Sequence, residues 1–321
     1  RFGKDGCILN ADYSQLELRI AGIISGDKVL EEVYLSGVDL HIATASKTFK
    51  VPTEEVTKDL RTKAKSVGFG IIYGKSGVTF GRELFFGEGE GQTTDMDKAI
   101  ELGNKLVDDY LDTYPDLGKW LRNTKRHAKK FGYVETMFGR RRRLPDLKSS
   151  LSTLRNNAER QSINAPIQGT GSDLTLKSIV KIQEYIKENH LKSCMICTVH
   201  DSIVFDIYIP ELASLAQAIK NIMEHVHEPY IDTKVPILSE LELGDTYGSV
   251  FEVEIEEVSK IHTTEDFNEW LHTQKMNKYT KEIKAMHKEG FSIDNCIEYL
   301  DKNERPVEEL VGKIMEIYSE K

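Results

Sequence analysis

The chain has 321 residues, of which 39% are hydrophobic and 30% are charged, and its formal net charge is −9. This composition is typical of a globular protein and excludes a disordered or collagen-like chain, while the apolar runs stay shorter than the roughly 18 residues of a membrane span. The four cysteines are too few for a disulfide scaffold at this length and favour a reducing compartment.

The first half of the chain is predicted to be mainly helical. Residues 6–11 (GCILNA) have the pattern of a short strand that leads into Asp12, and the amphipathic LELRIAGIIS after it predicts a helix ended by Gly26. The segment GYVETMFGRRRRLP, with turn residues Gly139 and Pro145, has the pattern of a hairpin. Between these segments, further helices are predicted at about 38–49, 57–73, 95–112 and 115–131.

The second half mixes helices with strands. Two helices are predicted at 151–162 and 169–188, because Pro166 and Gly169 in the intervening NAPIQG break the helical pattern. A pair of strands around Asp201 follows, then one more helix and a last strand in VPILSELELG. This order of elements indicates an α+β or mixed α/β domain.

The chain changes character after about residue 250. From there it is acidic and helix-like throughout, which predicts two or three short helices separated near Gly290 and Pro306. A helix-turn-helix that reads DNA is one interpretation of this extension. Because the extension is acidic and DNA is an anion, we favour a packing or partner-binding appendage.

Positive charge is concentrated in residues 119–148. This stretch holds eleven lysines and arginines against two acids, and four of the arginines are consecutive, at 140–143. A solvated helix surface would explain the spaced lysines but not the run of arginines. A local basic face of this kind is what binding to phosphate requires, even though the whole chain is acidic.

The segment TVHDSIVFDI (198–207) places Asp201 in a run that otherwise has the composition of a buried strand. A buried carboxylate is costly unless a positive group neutralises it. Three interpretations are open: a turn residue, a hydrolytic triad with His200 and Ser202, or a metal ligand. Asp12 also ends an apolar strand, so two acids from distant parts of the chain could meet and hold two divalent cations.

The predicted helix RTKAKSVGFGIIYG carries a stripe of four side chains, Arg61, Lys65, Phe69 and Tyr73. They recur every four residues, so they follow one slanting line roughly 18 Å long. Two cations followed by two aromatic rings match a triphosphate joined to a base. Cations on a wet face and aromatics in the core would explain any pair of them, but explain all four less well.

At this point a family resemblance is clear. DYSQLELR, RTKAKSVGFGIIYG and VHDS resemble motifs A, B and C of family A DNA polymerases, the DNA polymerase I class, and GYVETMFGRRRRLPDLKSS and ERQSINAPIQGTGSDL resemble segments of the same family. The resemblance covers about residues 5–248. It implies a right-hand polymerase fold of the α+β (mixed α/β) class. Residues 1–26 and 161–250 would form the palm, with its antiparallel sheet, and residues 27–160 would form mostly helical fingers. Residues 251–321 would be an acidic helical extension.

The resemblance also implies roles for individual residues. Asp12 and Asp201 resemble the metal-binding aspartates, assisted by the carbonyl of Tyr13, and Lys65 resembles the proton donor to the leaving pyrophosphate. The residues that match nucleotide-binding positions are Gln15, Glu17, His41, Arg61, Lys65, Phe69 and Tyr73. Those that match primer and template contacts are Arg155, Arg160, Asn164, Gln168 and His200.

The implied reaction is template-directed DNA synthesis with two Mg²⁺ ions, or Mn²⁺ in their place. The primer 3′-OH would attack the α-phosphate of a dNTP in line and release pyrophosphate. The partners would be primer-template DNA and dNTPs, with no membrane, and the place would be the cytoplasm. One alternative is a catalytically weak or inactive DNA-binding subunit. A less favoured alternative is a single-subunit RNA polymerase, against which the presence of Glu17 argues.

Two departures from the family pattern qualify this expectation. Ser202 stands where motif C usually has Glu, so one accessory carboxylate is lost, and Gly68 stands where motif B usually has Asn. Only eleven residues precede Asp12. We therefore expect thumb and proofreading exonuclease to be absent here, and the chain to be the C-terminal part of a larger or split polymerase that is inefficient alone.

Overall fold

In a computed structural model of the chain, residues 1–89 and 91–319 are described. At the centre of this part of the chain is a five-stranded antiparallel sheet. Its strands are β1 (Gly6–Tyr13), β4 (Cys194–Val199), β5 (Ser202–Tyr208), β6 (Ser239–Thr246) and β7 (Ser249–Val253), in the spatial order β4-β5-β1-β6-β7. A separate hairpin joins β2 (Tyr133–Glu135) to β3 (Arg141–Arg143).

The central strand β1 lies between β5 and β6. Ala11 pairs with Ile203 on β5, and Asp12 pairs with Glu240 on β6. Alternate residues of β1, such as Leu9, Ala11 and Tyr13, are buried in the main core, so Asp12 points to the opposite face. Because β5 begins one residue after Asp201, the strand pairing places both aspartates at the same end of the sheet.

Helices make up most of the remaining described structure. The first seven are α1 (Leu16–Ser25), α2 (Lys28–Ser36), α3 (Leu40–Phe49), α4 (Lys58–Ile72), α5 (Gly77–Phe80), α6 (Met96–Thr113) and α7 (Pro115–Phe131). The others are α8 (Ser152–Glu188), α9 (Leu212–His225), α10 (Ile255–Val258), α11 (Thr264–Lys288), α12 (Ile293–Lys302) and α13 (Val307–Ser319). The predicted mixture of an antiparallel sheet with predominant helix is confirmed.

The predicted break within residues 151–188 is wrong, because α8 runs without interruption through Pro166. Proline inside a helix removes one hydrogen bond and crowds the preceding turn. Here Ile163, Pro166 and Ile167 are buried, and packing of this face offsets the loss. Gly169 serves close packing instead of a turn, since a Cβ at this position would lie 2.5 Å from the side chain of Thr136 at the hairpin.

The prediction that everything after residue 250 is helical is wrong for its first residues. β7 runs to Val253 and pairs with β6, where Val253 stands opposite Leu241. The buried side chains of both residues explain the pairing. The strand was missed because it is only five residues long and leads directly into a glutamate-rich helical segment. Helix α2 was not predicted either.

The C-terminal helices α11, α12 and α13 enclose a small core of their own. Turns at Gly290 and at Asn303–Glu304, the second just before Pro306, separate them close to the predicted positions. The first part of α11 instead joins the main core through Phe267 and Leu271. In the parts of the chain that the structure describes, no helix combines the length and apolar character needed to cross a membrane.

Candidate active site

A cavity of about 680 Å³ opens where α1, α3, α4 and α8 approach the turn between β4 and β5. Its wall gathers ten residues that the sequence predicted to bind nucleotide, metal or DNA: Gln15, Glu17, His41, Arg61, Lys65, Phe69, Tyr73, Gln168, His200 and Asp201. These residues come from five separate segments of the chain. The fold therefore brings most of the predicted site together.

The sequence reasoning missed four other lining residues. Leu16 is at the start of α1, and Gly171, Ser172 and Thr175 are on α8. The three on α8 follow Gln168 at intervals of three, four and seven residues, which is the spacing of one helix face. This spacing could have identified them, but the predicted interruption of the helix obscured it.

Asp12 and Asp201 form an acidic pair. Asp201 lines the cavity, whereas Asp12 and Tyr13 are not among its lining residues. Asp12 is nevertheless close enough to Asp201 for the two charges to interact. Asp201 belongs to the two-residue turn between β4 and β5, where His200 has a left-handed φ of 59°. Burial, followed by the charge of Asp201, raises the pKa of Asp12 to about 6. The Oδ1 atom of Asp12 is buried and has no hydrogen-bond partner among the described residues. Within residues 1–89 and 91–319, neither carboxylate forms a salt bridge with a basic side chain.

The acidic pair has the chemistry of a Mg²⁺ site. Mg²⁺ in phosphoryl-transfer enzymes commonly takes one or two carboxylates, and its other ligands are substrate phosphates and water. In residues 1–89 and 91–319, no cluster of three or more His, Cys, Asp or Glu side chains is suited to a metal ion. Ser202 supplies no third anionic ligand, because its hydroxyl is neutral. The hydroxyl donates a hydrogen bond to the Val199 carbonyl at 2.9 Å.

Tyr13 can contribute only its backbone to such a site. Its hydroxyl is buried on the other side of β1, where it lies 2.7 Å from the hydroxyl of Ser178 and donates to the carbonyl of Met223 at 3.0 Å. This anchoring to α8 and α9 fixes the end of β1. The side chain therefore positions the neighbouring Asp12 but does not face the cavity.

On the opposite wall, the α4 stripe is held by α3. Arg61 forms two hydrogen bonds with Asp39, of 2.7 and 3.3 Å, and Asp39 also caps the N-terminus of α3 through Ile42. Burial of Asp39 raises its pKa, but the bonds from Arg61 and Ile42 outweigh this effect and the pKa is lowered. Arg61 is thereby fixed at the cavity edge, while Lys65 is exposed and forms no ion pair with the described residues.

His41 lies behind this stripe and is almost fully buried. Its ring centroid is 6.0 Å from that of Phe69. Burial is the main cause that lowers the pKa of His41; the charge of Asp39 opposes it, and the charges of Arg61 and Lys65 add to it, so the pKa is lowered overall. The imidazole is therefore neutral at pH 7 and can donate one hydrogen bond into the cavity.

Tyr73 and Glu17 close one side of the cavity. The Tyr73 hydroxyl donates a hydrogen bond to the Glu17 carboxylate, which joins the end of α4 to the start of α1. Burial, then the bond and charge of Glu17, raises the pKa of Tyr73 to about 12. The hydroxyl stays protonated near neutral pH and remains the donor.

The predicted DNA-binding residues are more dispersed. Gln168 and His200 line the cavity, and Asn164 lines an adjoining groove that shares Gln168 and Ser172 with it. Arg160 packs against Gly74, just beyond Tyr73. Arg155 lies outside both spaces and donates to the carbonyl of Ser149 at 3.0 Å.

Comparison with known proteins agrees with this geometry. The profile of DNA polymerase family A matches residues 2–249. The chain belongs to DNA polymerase family A. A solved structure, the "POL domain of Pol1 from M. smegmatis complex with DNA primer-template and dNTP", is 32% identical to this chain with a TM-score of 0.67. That match covers 75% of this chain and 40% of the other. The family resemblance and the expected fold are thus confirmed.

Curated relatives are considerably longer than this chain. A DNA polymerase of Bacillus phage SP01 is 41% identical over 91% of this chain, which is 31% of the phage protein. The thermostable DNA polymerase I of Thermus aquaticus is 34% identical over 78% of this chain and 28% of its own length. The chain thus spans less than a third of either relative. The phage match also reaches beyond residue 249, into the C-terminal helices.

Proposed function

We propose that this chain supplies the catalytic centre for template-directed DNA synthesis, in which a dNMP is added to a primer 3′-OH and pyrophosphate is released. The observation that carries the proposal is a cavity in which Asp201, coupled to the nearby Asp12, shares the wall with Arg61 and Lys65 of α4. Negative groups for cations and positive groups for phosphate are the two requirements of phosphoryl transfer.

Asp12, Asp201 and the carbonyl of Tyr13 are the groups that would hold two Mg²⁺ ions, with Mn²⁺ as a possible substitute. When bound, these cations would supply Lewis-acid stabilisation of the attacking and leaving oxygens. The buried, unpartnered Oδ1 of Asp12 supports this assignment. The absent carboxylate at Ser202 leaves the two aspartates as the principal ligands.

The α4 stripe would bind the incoming nucleotide. Arg61 and Lys65 would neutralise the triphosphate, and the neutral His41 would donate a hydrogen bond to it. Lys65 is the residue free of ion pairs within the described stripe, so it is suited to donate a proton to the leaving pyrophosphate. Phe69 would contact the sugar, and Gln15 would line the same site.

The bond between Tyr73 and Glu17 would select deoxyribonucleotides. It places a ring and a carboxylate side by side at the cavity edge, where a ribose 2′-OH would meet a steric barrier. Phe69 has no hydroxyl with which to replace a missing 3′-OH. We therefore expect poor use of dideoxynucleotides, and Phe69→Tyr is expected to improve it.

The primer and template would run past Gln168, His200 and Asn164, with Arg155 and Arg160 further along α8. We propose that the sheet with α8 and α9 acts as the palm (1–26 and 161–250) and that residues 27–160 act as the fingers.

The matched relatives are over three times longer than the stretch they share with this chain. We propose that efficient synthesis needs a thumb-bearing portion, and that it takes place in the cytoplasm of a bacterium or of a phage-infected host, with an organelle as the alternative.

Primer extension with Mg²⁺ or Mn²⁺ tests this function, using the chain alone and together with a thumb-bearing portion. Asp12→Asn and Asp201→Asn are each expected to abolish incorporation, whereas Asp245→Asn, at an acid that pairs with Lys275 away from the cavity, should not. Duplex binding without incorporation under every condition would instead favour a DNA-binding subunit, which the serine at position 202 makes the second candidate. Preferential rNTP incorporation would favour an RNA polymerase.

A further inference from the structure

The four consecutive arginines at 140–143 have different environments. The Nε of Arg140 donates to Asp173 at 2.8 Å, and its terminal nitrogen donates to the carbonyl of Gly169 at 2.9 Å. Arg141 pairs with Glu135 at 2.5 Å and lies over the ring of Tyr133. Both guanidinium groups are therefore occupied by partners within the fold.

Arg142 and Arg143 form no ion pair or side-chain hydrogen bond within residues 1–89 and 91–319. They are adjacent on β3, so their side chains point to opposite faces of the hairpin. Arg142 stands opposite the buried Val134, and Arg143 stands opposite Tyr133. Arg142 thus lies on the face turned towards α8, and Arg143 lies on the other face.

The face turned towards α8 forms a groove of about 440 Å³. Arg142 lines it together with the amide side chains of Gln161, Asn164 and Gln168, while Arg143 does not. The groove is also lined by Arg140, Arg141 and Glu135, whose charges are paired within the fold. The groove shares Gln168 and Ser172 with the catalytic cavity. The shared lining makes the two spaces neighbours along α8, so one extended ligand, such as a nucleic-acid strand, can contact both.

The groove is built before any ligand arrives. Asp173 accepts hydrogen bonds from both Arg140 and the Thr136 hydroxyl, at 2.8 and 2.7 Å, and the Met137 amide donates to the Thr170 hydroxyl at 3.0 Å. The absence of a side chain at Gly169 permits this close approach. The hairpin is thereby fixed on α8, which fixes the backbone position of Arg142 at the edge of the groove.

We propose that Arg142 is the arginine of this run that binds a backbone phosphate of the primer-template, and that Asp173 is a positioning residue for it. The proposal rests on the proposed function. Arg140 and Arg141 stabilise the hairpin through their internal partners, and Arg143 lies on the face of the hairpin away from the groove. A guanidinium without an internal partner, beside neutral amide donors, suits a phosphodiester.

The test is equilibrium binding of a primer-template duplex, by fluorescence anisotropy, over a series of salt concentrations. Each phosphate contact contributes about 0.9 to the slope of log K against log salt, so Arg142→Ala should lower the slope by about 0.9. Arg142→Lys should restore most of it. Arg143→Ala is the matched control: it removes an equal charge from the opposite face and should change the slope by under about 0.3.

Asp173→Asn separates positioning from simple electrostatics. Removing a negative charge beside an anion-binding groove would strengthen DNA binding if charge alone mattered. A positioning role predicts weaker binding and a lower slope, with a thermal unfolding midpoint that shows a folded protein. Tighter binding by this variant would overturn the positioning role.

Equal effects of Arg142→Ala and Arg143→Ala, or no effect of either, would overturn the assignment of Arg142 while leaving the proposed polymerase function intact. Failure of the unmodified chain to bind duplex at any salt concentration, even together with a thumb-bearing portion, would be a different result. It would remove the proposed function, and the assignment of Arg142 with it.

Discussion

The Tyr73 hydroxyl donates a hydrogen bond to the Glu17 carboxylate, so the end of α4 is tied to the start of α1 at the edge of the catalytic cavity. Removing this carboxylate would open the space that a ribose 2′-OH requires. We expect Glu17→Ala to raise the ratio of rNTP to dNTP incorporation between about 10- and 100-fold, the range within which pockets discriminate a single hydroxyl.

Single-nucleotide incorporation with matched dNTP and rNTP measures this ratio. Glu31→Ala is a suitable control, because Glu31 pairs with Lys28 on α2 and does not line the cavity. An unchanged ratio in Glu17→Ala would show that the Tyr73 and Glu17 pair does not exclude the 2′-OH.

The raised pKa of Asp12 predicts a stability that depends on pH in the absence of divalent metal. An unfolded Asp titrates near 4, but the folded Asp12 titrates near 6. Between these values the folded state holds more protons than the unfolded state, so stability falls as pH rises from about 4 to about 6. The full penalty is present above that window.

Asp12→Asn removes this penalty. In EDTA at pH 7.5 we expect its thermal unfolding midpoint to exceed that of the unmodified chain by about 2–4 °C, and the difference to vanish below about pH 4. Mg²⁺ should then stabilise the unmodified chain more than the variant. Equal midpoints in EDTA at pH 7.5 would mean that Asp12 carries no electrostatic strain.

Local patterns were sufficient to predict α1 and α4. Each has a regular apolar period and a clear end: Gly26 adopts a left-handed conformation after α1, and Gly74 does so after α4. The stripe from Arg61 to Tyr73 could be predicted for the same reason, because it depends on spacing within one helix. These residues then line a single cavity.

The missed features depend on contacts between distant segments. The continuity of α8 through Pro166 follows from burial against the core, and β7 follows from its pairing with β6. The different environments of Arg140 and Arg142 depend on where Asp173 meets the hairpin, 30 or more residues away in sequence. No local pattern of residues 140–143 could separate them.

The two interior glycines of α4 should respond differently to a methyl group. A Cβ at Gly70 would lie 2.5 Å from the ring of Phe80, whereas a Cβ at Gly68 would lie 3.4 Å or more from its neighbours, Tyr110 and Leu18. We expect Gly70→Ala to destabilise by about 1–3 kcal/mol through overpacking. Gly68→Ala should be neutral or stabilise by up to about 1 kcal/mol, because alanine favours helix.

Urea denaturation of both variants gives the comparison directly, since each adds the same methyl group to the same helix. If Gly70→Ala were as stable as Gly68→Ala, the ring of Phe80 would have moved aside without cost. In that case close packing would not account for the glycine at position 70.

Asp27 is almost completely buried and caps two helices at once. Its Oδ1 accepts hydrogen bonds from the amides of Val29 and Leu30 at the start of α2, and its Oδ2 accepts from Asp116 and Leu117 at the start of α7. One lost cap costs about 0.5–2 kcal/mol, so Asp27→Ala should cost about 1–4 kcal/mol by denaturant unfolding.

Asp27→Ser is the informative comparison, because one hydroxyl on a short side chain can cap α2 but cannot also reach α7. Hydrogen exchange should therefore accelerate at the start of α7 in both variants, and at the start of α2 only in Asp27→Ala. The serine variant should show about half of the total destabilisation. Faster exchange confined to α2 in either variant would contradict the double cap, since α7 would then hold its first turn without the carboxylate.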